Sequence, residues 1–584
     1  AGGVPLFLDH ITRAVLERPG HQPEDTVPVT MIEALHERFS HLGDALALVE
    51  AAAVLGQELP VSVLARMAGR DETQVSDQVA RLVGRGLFRL RGGGAVAFDH
   101  ALIRDAVLDT LLKPRLKDLH SAALAAYEAA ATGRLGAEPV TAATHLMGAG
   151  RAAEGIPRLL EAARTALMRG EIAEAVRLLR WAESGLAEVP PDSGLRDGLE
   201  MAVQFSLGLA LVQHRGFSDD AVAEAYERAL ELCQAGQGGS EAEFQIAWGI
   251  WAHYMVVGRT DRALQMTRRM TGIAESETAL EVLAASARSL VLCNQGEFAA
   301  QEDAAARVDA LYSPDLHRLH GLTYSMDSLE MAHLFRIHGR YICGYLPGWK
   351  AAYQAARSHV AFLELPILKP YVRIYSTAPQ TYALPEDGCR TELEEATAYA
   401  AEIGQPFWVT AGRVWLAHEA VRSRGPAEAL PDMQEAVGGM QAIGLKLGSA
   451  YHEAMLAYCS ACAGGHAPVP GLIASATGAL TAGRDLMYAA EVHRLIAEAL
   501  LQDPQADRTA AQAHLTKAAT LAAQQGSRAW AALTAASQAR LTRAATDRDT
   551  AEQQLQEALA RIVPADSRGH PAFRAARAAF EMQV

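Results

Sequence analysis

Aromatic residues and cysteines are scarce in this sequence. Only 6% of the 584 residues are aromatic, and six cysteines occur at irregular positions. So few cysteines in so long a chain do not form a disulfide framework, and a reducing cytoplasm is the expected location. No apolar run reaches the roughly 18 to 20 residues of a membrane helix. The most apolar stretch, Ala45 to Gly56, is short and contains Glu50, so no membrane partner is expected.

Excess positive charge and known catalytic motifs are also missing. The formal net charge of −15 argues against a broad nucleic-acid-binding face, which needs an excess of Lys and Arg. The sequence contains no GxxxxGK[ST] phosphate loop, no GxSxG and no HExxH. We therefore expect no catalytic residues, no metal site and no cofactor in this chain itself. Four arginines could contact DNA phosphates, but acidic residues near them in the sequence offset their positive charge, so direct DNA binding is not favoured. They are Arg81, Arg85, Arg89 and Arg91.

Alanine-rich helical patterns fill most of the chain and predict a mainly α protein. Half of the residues are hydrophobic. A chain of 584 residues is too long for a single hydrophobic core, so several domains or a repeat array are expected. Three zones separate: an amphipathic helix over 1–22, a winged-helix domain over 23–122, and a long superhelix of tetratricopeptide-like helical hairpins over 123–584. The recurring turns that contain Gly170, Gly216, Gly258, Gly296 and Gly425 indicate the repeats.

The second zone has the element order of a winged helix. Two helices, Val61 to Gly69 and Glu72 to Gly86, form a helix-turn-helix pair, and Leu87 to Phe98 predicts a β-hairpin with a glycine-rich wing. Asp99 is the predicted N-cap of the next helix, which places His100 in its first turn. Backbone N–H groups point outward there, so this position suits the binding of a phosphate.

The third zone predicts a concave groove, because helical hairpins bury their faces only by stacking into a superhelix. Trp248, Trp251 and Tyr254 share one helix and are candidates for lining that groove, although such a stripe is more often core. The segment from Leu365 to Gly388 contains four prolines, which break long helices. It is either an irregular connection or a loop that lines the groove.

Two clusters of metal-ligand residue types have plainer interpretations. Cys459 and Cys462 form a CxxC without a second ligand pair, so packing of small residues is favoured over a zinc or redox site. Four histidines share one helical hairpin, but no carboxylate is spaced to complete a metal site, and ordinary packing is again favoured. They are His317, His320, His333 and His338.

The order of motifs resembles the region that follows the ATPase core in STAND-class signalling ATPases, of the type linked to bacterial class III adenylate/guanylate cyclases and LuxR-type regulators. GGVPLFLDHITRAVLE resembles the lid motif, and VPVTMIEALHERFSHLG, AAAVLGQELPVSVLARMAG and LVGRGLFRLRGG resemble the winged helix. GQPFWVTAGRVWLA and YAAEVHRLIAEALLQ resemble the repeat signatures. The segment from about Ser358 to Cys389 departs from the regular hairpins of that family.

The resemblance implies two nucleotide-binding residues and a regulatory role. Pro5 matches the lid proline that packs near adenine, and His100 matches the histidine that contacts the ADP β-phosphate. ATP or ADP with Mg²⁺ is expected only with an ATPase domain that precedes Ala1. The expected partners are a protein or small-molecule stimulus in the groove, the ATPase and effector domains, and further copies of the chain. The alternatives are the sensor of a LuxR-type transcription regulator and a stand-alone repeat scaffold.

Overall fold

The computed structural model is mainly α-helical and divides into two compact units, residues 1–210 and 211–584. The described residues are 39–130, 138–216, 218–237, 239–274, 277–324, 326–360, 366, 368–503, 508–543 and 548–581. The helix predicted over residues 1–22, and Pro5 within it, lie outside them. The predicted limit near residue 122 falls inside a helix of the first unit, Lys113–Ala130.

The first unit contains nine helices within its described residues. They are α1 (Leu46–Leu55), α2 (Val61–Ala68), α3 (Glu72–Gly84), α4 (Ala101–Thr110), α5 (Lys113–Ala130), α6 (Pro139–Gly148), α7 (Ala152–Met168), α8 (Ile172–Gly185) and α9 (Arg196–Arg215), within which the division between the units falls. The predicted helix pair is confirmed as α2 and α3. Gly69 ends α2 with a φ of 63°, and the carboxylate of Asp71 caps α3 by accepting from the Thr73 amide at 2.8 Å.

A small antiparallel sheet lies beside these helices. Its strands are β1 (Glu58–Pro60), β2 (Phe88–Leu90) and β3 (Ala95–Phe98), in the order β1-β3-β2. The hairpin of β2 and β3 is confirmed, with Phe88 opposite Phe98. In its turn Gly93 has a φ of 74°, a conformation that glycine adopts without a steric penalty. Strand β1 was not predicted, because three residues are too few to show a period of two.

The second unit is an array of helices joined by short turns. The described helices that follow α9 are α10 (Asp220–Leu232), α11 (Ser240–Val256), α12 (Thr260–Ile273), α13 (Thr278–Asn294), α14 (Phe298–Leu311), α15 (Pro314–Tyr324), α16 (Ser328–Ile342), α17 (Leu346–Val360), α18 (Leu368–Thr377), α19 (Cys389–Glu402), α20 (Pro406–Ser423), α21 (Leu430–Ala442), α22 (Ser449–Cys462), α23 (Val469–Thr481), α24 (Ala489–Leu500), α25 (Arg508–Gln525), α26 (Arg528–Arg543), α27 (Arg548–Ile562) and α28 (Pro571–Glu581). Within the described part of the chain, none of the helices combines the length and the apolar character that crossing a bilayer requires.

The predicted turn glycines end the helices as expected. Gly296, between α13 and α14, has a φ of 75°, and the amide of Glu297 bonds the Leu292 carbonyl at 3.0 Å. The left-handed conformation of Gly296 lets this amide reach a carbonyl at the end of α13 that would otherwise lack a partner. The other predicted turn glycines also have positive φ values: Gly170, Gly216, Gly258 and Gly425.

Hydrogen bonds between distant turns close the second unit on itself. The hydroxyl of Thr260 donates to the Gly483 carbonyl at 3.1 Å, across 223 residues of sequence. The amide of Leu346 donates to the Ser567 hydroxyl at 3.2 Å, across 221 residues. Turns that lie far apart in the sequence are therefore neighbours, and the helices enclose a common interior.

Aromatic rings fill that interior, and the concave groove expected from the repeats stays a prediction. Tyr382 is fully buried, and its ring centroid lies 5.4–5.9 Å from those of five other aromatic residues. Aromatic pairs at such distances stabilise a fold by about 0.5–1.5 kcal/mol each beyond the area they bury. The five are Tyr341, Trp415, Tyr451, Tyr488 and Trp530.

The proline-rich segment near 365–388 is part of this core. Its described residues form α18 and a short 3-10 turn, Ala378–Thr381. The prolines are tolerated because Pro370 lies in the first turn of α18 and Pro379 near the start of the 3-10 turn, where their missing N–H groups are not needed. Residues 382–388 form neither helix nor strand, so this part of the segment is an irregular connection to α19, as one of the two alternatives expects, and Tyr371 and Tyr382 pack it into the core.

Candidate functional site

His100 lies at the junction between the sheet and α4. The Asp99 amide bonds the Leu87 carbonyl at 3.0 Å, which keeps Asp99 in the hairpin. The N-cap is therefore His100, and the prediction that Asp99 is the N-cap is wrong. Nδ1 of His100 accepts from the Leu102 amide at 3.2 Å, while the side chain is exposed. Because Nδ1 is an acceptor, the proton of the neutral ring sits on Nε2, which is available to donate outward.

A second histidine cap shows what distinguishes this position. Nδ1 of His570 accepts from the Ala572 amide at 3.2 Å, in the same arrangement at the start of α28. His570 is fully buried, and its ring packs 4.5 Å from that of Tyr341. Histidine capping alone is therefore a structural feature of this chain. Exposure of the capping ring is what makes His100, and not His570, a candidate for ligand contact.

The predicted groove residues on α11 lie mainly in the core. Trp248 is 7% exposed and Trp251 is 2% exposed, with ring centroids 4.7 Å apart. Burial of both rings means that neither presents a face to a ligand in this structure. Tyr254 is half-buried, and its hydroxyl bonds the Glu227 carboxylate. Burial and this carboxylate raise the pKa of Tyr254 to about 12, so the phenol stays protonated. The groove assignment of these three residues stays a prediction.

The clustered histidines of α15 and α16 have separate partners. His320 contacts the Ser328 hydroxyl at 2.9 Å, and His333 lies 3.5 Å from the Asp309 carboxylate. His338 contacts Tyr382 and the Tyr375 carbonyl instead. The side chain of His317 lies outside the described residues. Across the part of the chain that the structure describes, no three His, Cys, Asp or Glu side chains come close enough to hold a metal ion.

The CxxC of α22 contains two unoxidised thiols. Cys459 is fully buried and Cys462 is half-buried. Burial raises the pKa of the Cys459 thiol to about 12 and that of Cys462 to about 11. Nucleophilic attack requires a thiolate, which such values disfavour at neutral pH. The packing interpretation of this motif stays a prediction.

The four arginines near the wing are exposed, as a DNA-contacting set would be. The guanidinium of Arg91 lies 3.7 Å from the carboxylate of Glu58, which partly offsets its charge. Direct nucleic-acid binding is no better supported by this arrangement than by the sequence.

A small cavity remains beside the aromatic interior of the second unit. Its volume is about 30 Å³, and its lining includes Asn294, His338, Trp415, His452 and Tyr488. A water molecule needs roughly 10–15 Å³ on the same measure, so the cavity accommodates water and not an organic ligand. The sequence did not reveal these residues as neighbours, because separate helices far apart in the chain contribute them.

Comparisons with known proteins give distant structural similarities. No family model and no curated protein sequence matches the chain. A Rap protein, solved in complex with competence and sporulation factor, is similar over 62% of this chain and 99% of its own, with 14% identity and a TM-score of 0.36. A STAND protein with a tetratricopeptide repeat sensor, PH0952 from Pyrococcus horikoshii, is similar over 96% of this chain and 67% of its own, with 12% identity and a TM-score of 0.30. TM-scores this low do not establish a common fold.

Proposed function

We propose that this chain is the regulatory sensor region of a STAND-type signalling ATPase. In this proposal the part of the first unit around α1–α5 and the sheet is a winged-helix lid over a nucleotide bound by a preceding ATPase domain. The helical array of the second unit receives the stimulus. The output belongs to a linked effector, such as a nucleotide cyclase. The observation that carries the proposal is the exposed N-cap His100, placed between the hairpin and α4.

The chemistry of that position suits an ADP phosphate. The N-terminus of α4 carries a partial positive charge, because the first N–H groups of a helix lack partners within the helix. Nε2–H of His100 adds a donor beside this helix end while Nδ1 stays bonded to the Leu102 amide. A phosphate oxygen would then accept from the imidazole and from the helix terminus together. The closed, ADP-bound state would be favoured by the energy of these contacts.

The test uses the parent protein as its own cell makes it. Its intact mass is measured first, because the proposal requires a mass far above the 62.4 kDa of this chain. ADP affinity is then compared between the wild type and His100→Asn. Asparagine is also a good N-cap, so this variant keeps an acceptor for the Leu102 amide and removes the imidazole donor. Loss of a hydrogen bond to a charged phosphate is expected to weaken ADP binding roughly tenfold.

His41→Ala is the matched control, since His41 is an exposed histidine of the same unit that precedes α1. The control is expected to bind ADP as the wild type does. A native mass close to 62.4 kDa would mean that no ATPase domain is attached, and a stand-alone scaffold would then be the better interpretation. Equal ADP affinity in His100→Asn and the wild type would overturn the nucleotide-sensing role of His100.

A further inference from the structure

A surface groove of about 390 Å³ lies between α23, α24 and α25 of the second unit. Its volume falls within the roughly 300–1,000 Å³ that is usual for small-molecule sites. None of the features described above includes it. Three leucines contribute apolar surface, Leu480, Leu486 and Leu521, and three nitrogen bases contribute polar surface, His493, His514 and Lys517. We call it the α23–α25 groove.

The pairing of α24 with α25 separates the apolar and basic side chains along the groove. At one end Nδ1 of His493 lies 2.8 Å from Nδ1 of His514. At the other end the amide of Gln525 donates to the Leu486 carbonyl at 2.7 Å, beside Leu521. His514 and Leu521 are seven residues apart on α25, which corresponds to about 10 Å along a helix. The two histidines therefore lie toward one end of the groove and Leu486 and Leu521 toward the other, with Lys517 between His514 and Leu521 on α25.

The basic end has no compensating carboxylate. Neither Asp nor Glu is among the residues that line the groove, although the chain as a whole has a net charge of −15. His493 is 3% exposed. Burial, together with the nearby His514 and Lys517, lowers the pKa of His493 to about 4. Both histidines are therefore uncharged near pH 7, and the charge at this end is that of Lys517, which no carboxylate in the groove lining offsets.

The hydroxyl groups near the groove are already used. Thr477 donates to the Ile473 carbonyl at 2.7 Å, and Thr481 donates to the Thr477 carbonyl at 2.8 Å. A bound anion must therefore rely on the nitrogen bases. The Lys517 ammonium is exposed. The ring of His514 is half-buried and contacts His493 through Nδ1, so Nε2 takes no part in that contact.

We infer that the α23–α25 groove binds a small amphipathic carboxylate, with its alkyl body on Leu480, Leu486 and Leu521 and its carboxylate accepting from Lys517 and His514. Binding itself does not depend on the sensor function. Only the idea that such a ligand is a stimulus rests on the function proposed above. A carboxylate with an alkyl chain of medium length matches both the spacing of the two ends and their chemistry.

Octanoate is the probe, titrated into the full 584-residue chain by isothermal calorimetry. Saturable binding at one site is expected. Octanol, which keeps the alkyl body without the charge, and acetate, which keeps the charge without the body, should each bind at least roughly tenfold more weakly. Octanol binding as tightly as octanoate would overturn the carboxylate specificity. Absence of octanoate binding at millimolar concentration would overturn the site.

Two pairs of variants locate the binding. Ala513→Phe fills the groove from an exposed position of α25, whereas Ala523→Phe places the same ring at an exposed position of α25 outside the groove lining. The first should weaken octanoate binding at least roughly tenfold, because the ring occupies the ligand's space, and the second should leave it unchanged. Equal effects would mean non-specific adsorption and would overturn the proposal.

Lys517→Gln removes the exposed charge of the groove, and Lys446→Gln removes an exposed charge elsewhere in the second unit. A roughly tenfold loss of octanoate affinity is expected for the first variant alone.

The octanoate results are independent of the nucleotide test. Octanoate binding with no effect on ADP affinity in the parent protein would leave the groove site standing and count against its role as a sensor. Failure of octanoate to bind would leave the His100 result unaffected.

Discussion

The hydroxyl of Tyr382 lies 2.5 Å from Nδ1 of His338, across 44 residues of sequence. Nε2 of the same imidazole lies 3.0 Å from the Tyr375 carbonyl, which can only accept, so Nε2 carries the proton. Nδ1 therefore accepts from Tyr382, and the oxygen of Tyr382 accepts in turn from the Tyr488 hydroxyl at 2.8 Å. This directed chain of hydrogen bonds connects three parts of the second unit: α16, the segment after α18 that contains Tyr382, and the segment before α24 that contains Tyr488.

Tyr382→Phe should destabilise the second unit through this chain. The variant keeps the aromatic ring but leaves Nδ1 of His338 and the Tyr488 hydroxyl without their shared partner. Unpartnered buried polar groups cost about 1–3 kcal/mol. The free energy of unfolding is measured by urea titration with tryptophan fluorescence. Tyr345→Phe, at a residue that is 45% exposed, is the control and should change stability by less than about 0.5 kcal/mol. Equal values for the two variants would contradict the role of the hydroxyl.

Buried histidines should make the second unit sensitive to acid. Burial lowers the pKa of His338 to about 4, whereas an unfolded histidine has a pKa of about 6.5. Between these values the unfolded state binds the proton more readily, so stability is present above pH 6.5 and is lost as the pH falls toward 4. Each such histidine contributes a slope of up to about 1.4 kcal/mol per pH unit. The pKa is lowered in the same way for His418, His452, His493, His514 and His570.

Three carboxyl groups oppose this trend. Burial raises the pKa of Asp485 to about 6 and raises the pKa values of Glu330 and Glu453, so the native state takes up protons over part of the same range. The histidines outnumber them, and the net expectation is a lower melting temperature at pH 5 than at pH 7.5. Scanning calorimetry at matched ionic strength measures it. An equal or higher melting temperature at pH 5 would show that the histidines do not dominate.

The sequence predicted elements that depend on local signals. Gly296 and the hairpin turn at Gly93 could be located because a positive φ at a helix or strand end favours glycine wherever it occurs. The packing partners of those elements could not be found in this way. Tyr382 and Tyr488 are 106 residues apart, and helical periodicity indicates which face is apolar without indicating which helix covers it. The filled interior was therefore not predictable from one sequence.

The candidate sites likewise contain features that local sequence signals predict and features that they do not. His100 was correctly placed at the strand–helix junction, but the N-cap was assigned one residue early. Asp99 has the better residue preference, yet its amide bonds Leu87 and keeps it in the hairpin. Trp248 and Trp251 were groove candidates because helical spacing cannot distinguish a buried stripe from one that faces a ligand. The α23–α25 groove has no sequence signature, since α24 and α25 each contribute only part of its basic end.

Asp485 has an unusual backbone conformation that its hydrogen bonds explain. It is the one non-glycine residue in the described part of the chain with a positive φ, 57°. Its buried carboxylate accepts from the Gly448 amide at 2.6 Å and from the Ala450 amide at 3.0 Å, at the start of α22. Charge-assisted bonds to a helix N-terminus stabilise both the helix and the strained turn.

Substitutions of Asp485 should separate those two contributions. Asp485→Ala loses both hydrogen bonds and retains the strain, so a loss of about 3 kcal/mol or more is expected from urea unfolding. Asp485→Gly loses the bonds but relieves the strain, and should cost less by about 1 kcal/mol. Asp485→Asn keeps one acceptor oxygen and a tolerance for left-handed φ, and should cost least. A ranking with Asn no better than Ala would show that the contacts to Gly448 and Ala450 do not stabilise the turn.

His100→Ala and His100→Asn should differ in stability, although both remove the imidazole. Alanine cannot accept from the Leu102 amide, and loss of an N-cap costs about 0.5–2 kcal/mol. Asparagine replaces the acceptor and should leave the stability of the first unit nearly unchanged. Hydrogen exchange of the amides in the first turn of α4 measures the difference, with faster exchange expected in the alanine variant alone. Equal exchange in both variants would mean that Nδ1 does not cap the helix in solution. If asparagine preserves the cap, any loss of ADP affinity in that variant of the parent protein reports on the imidazole itself.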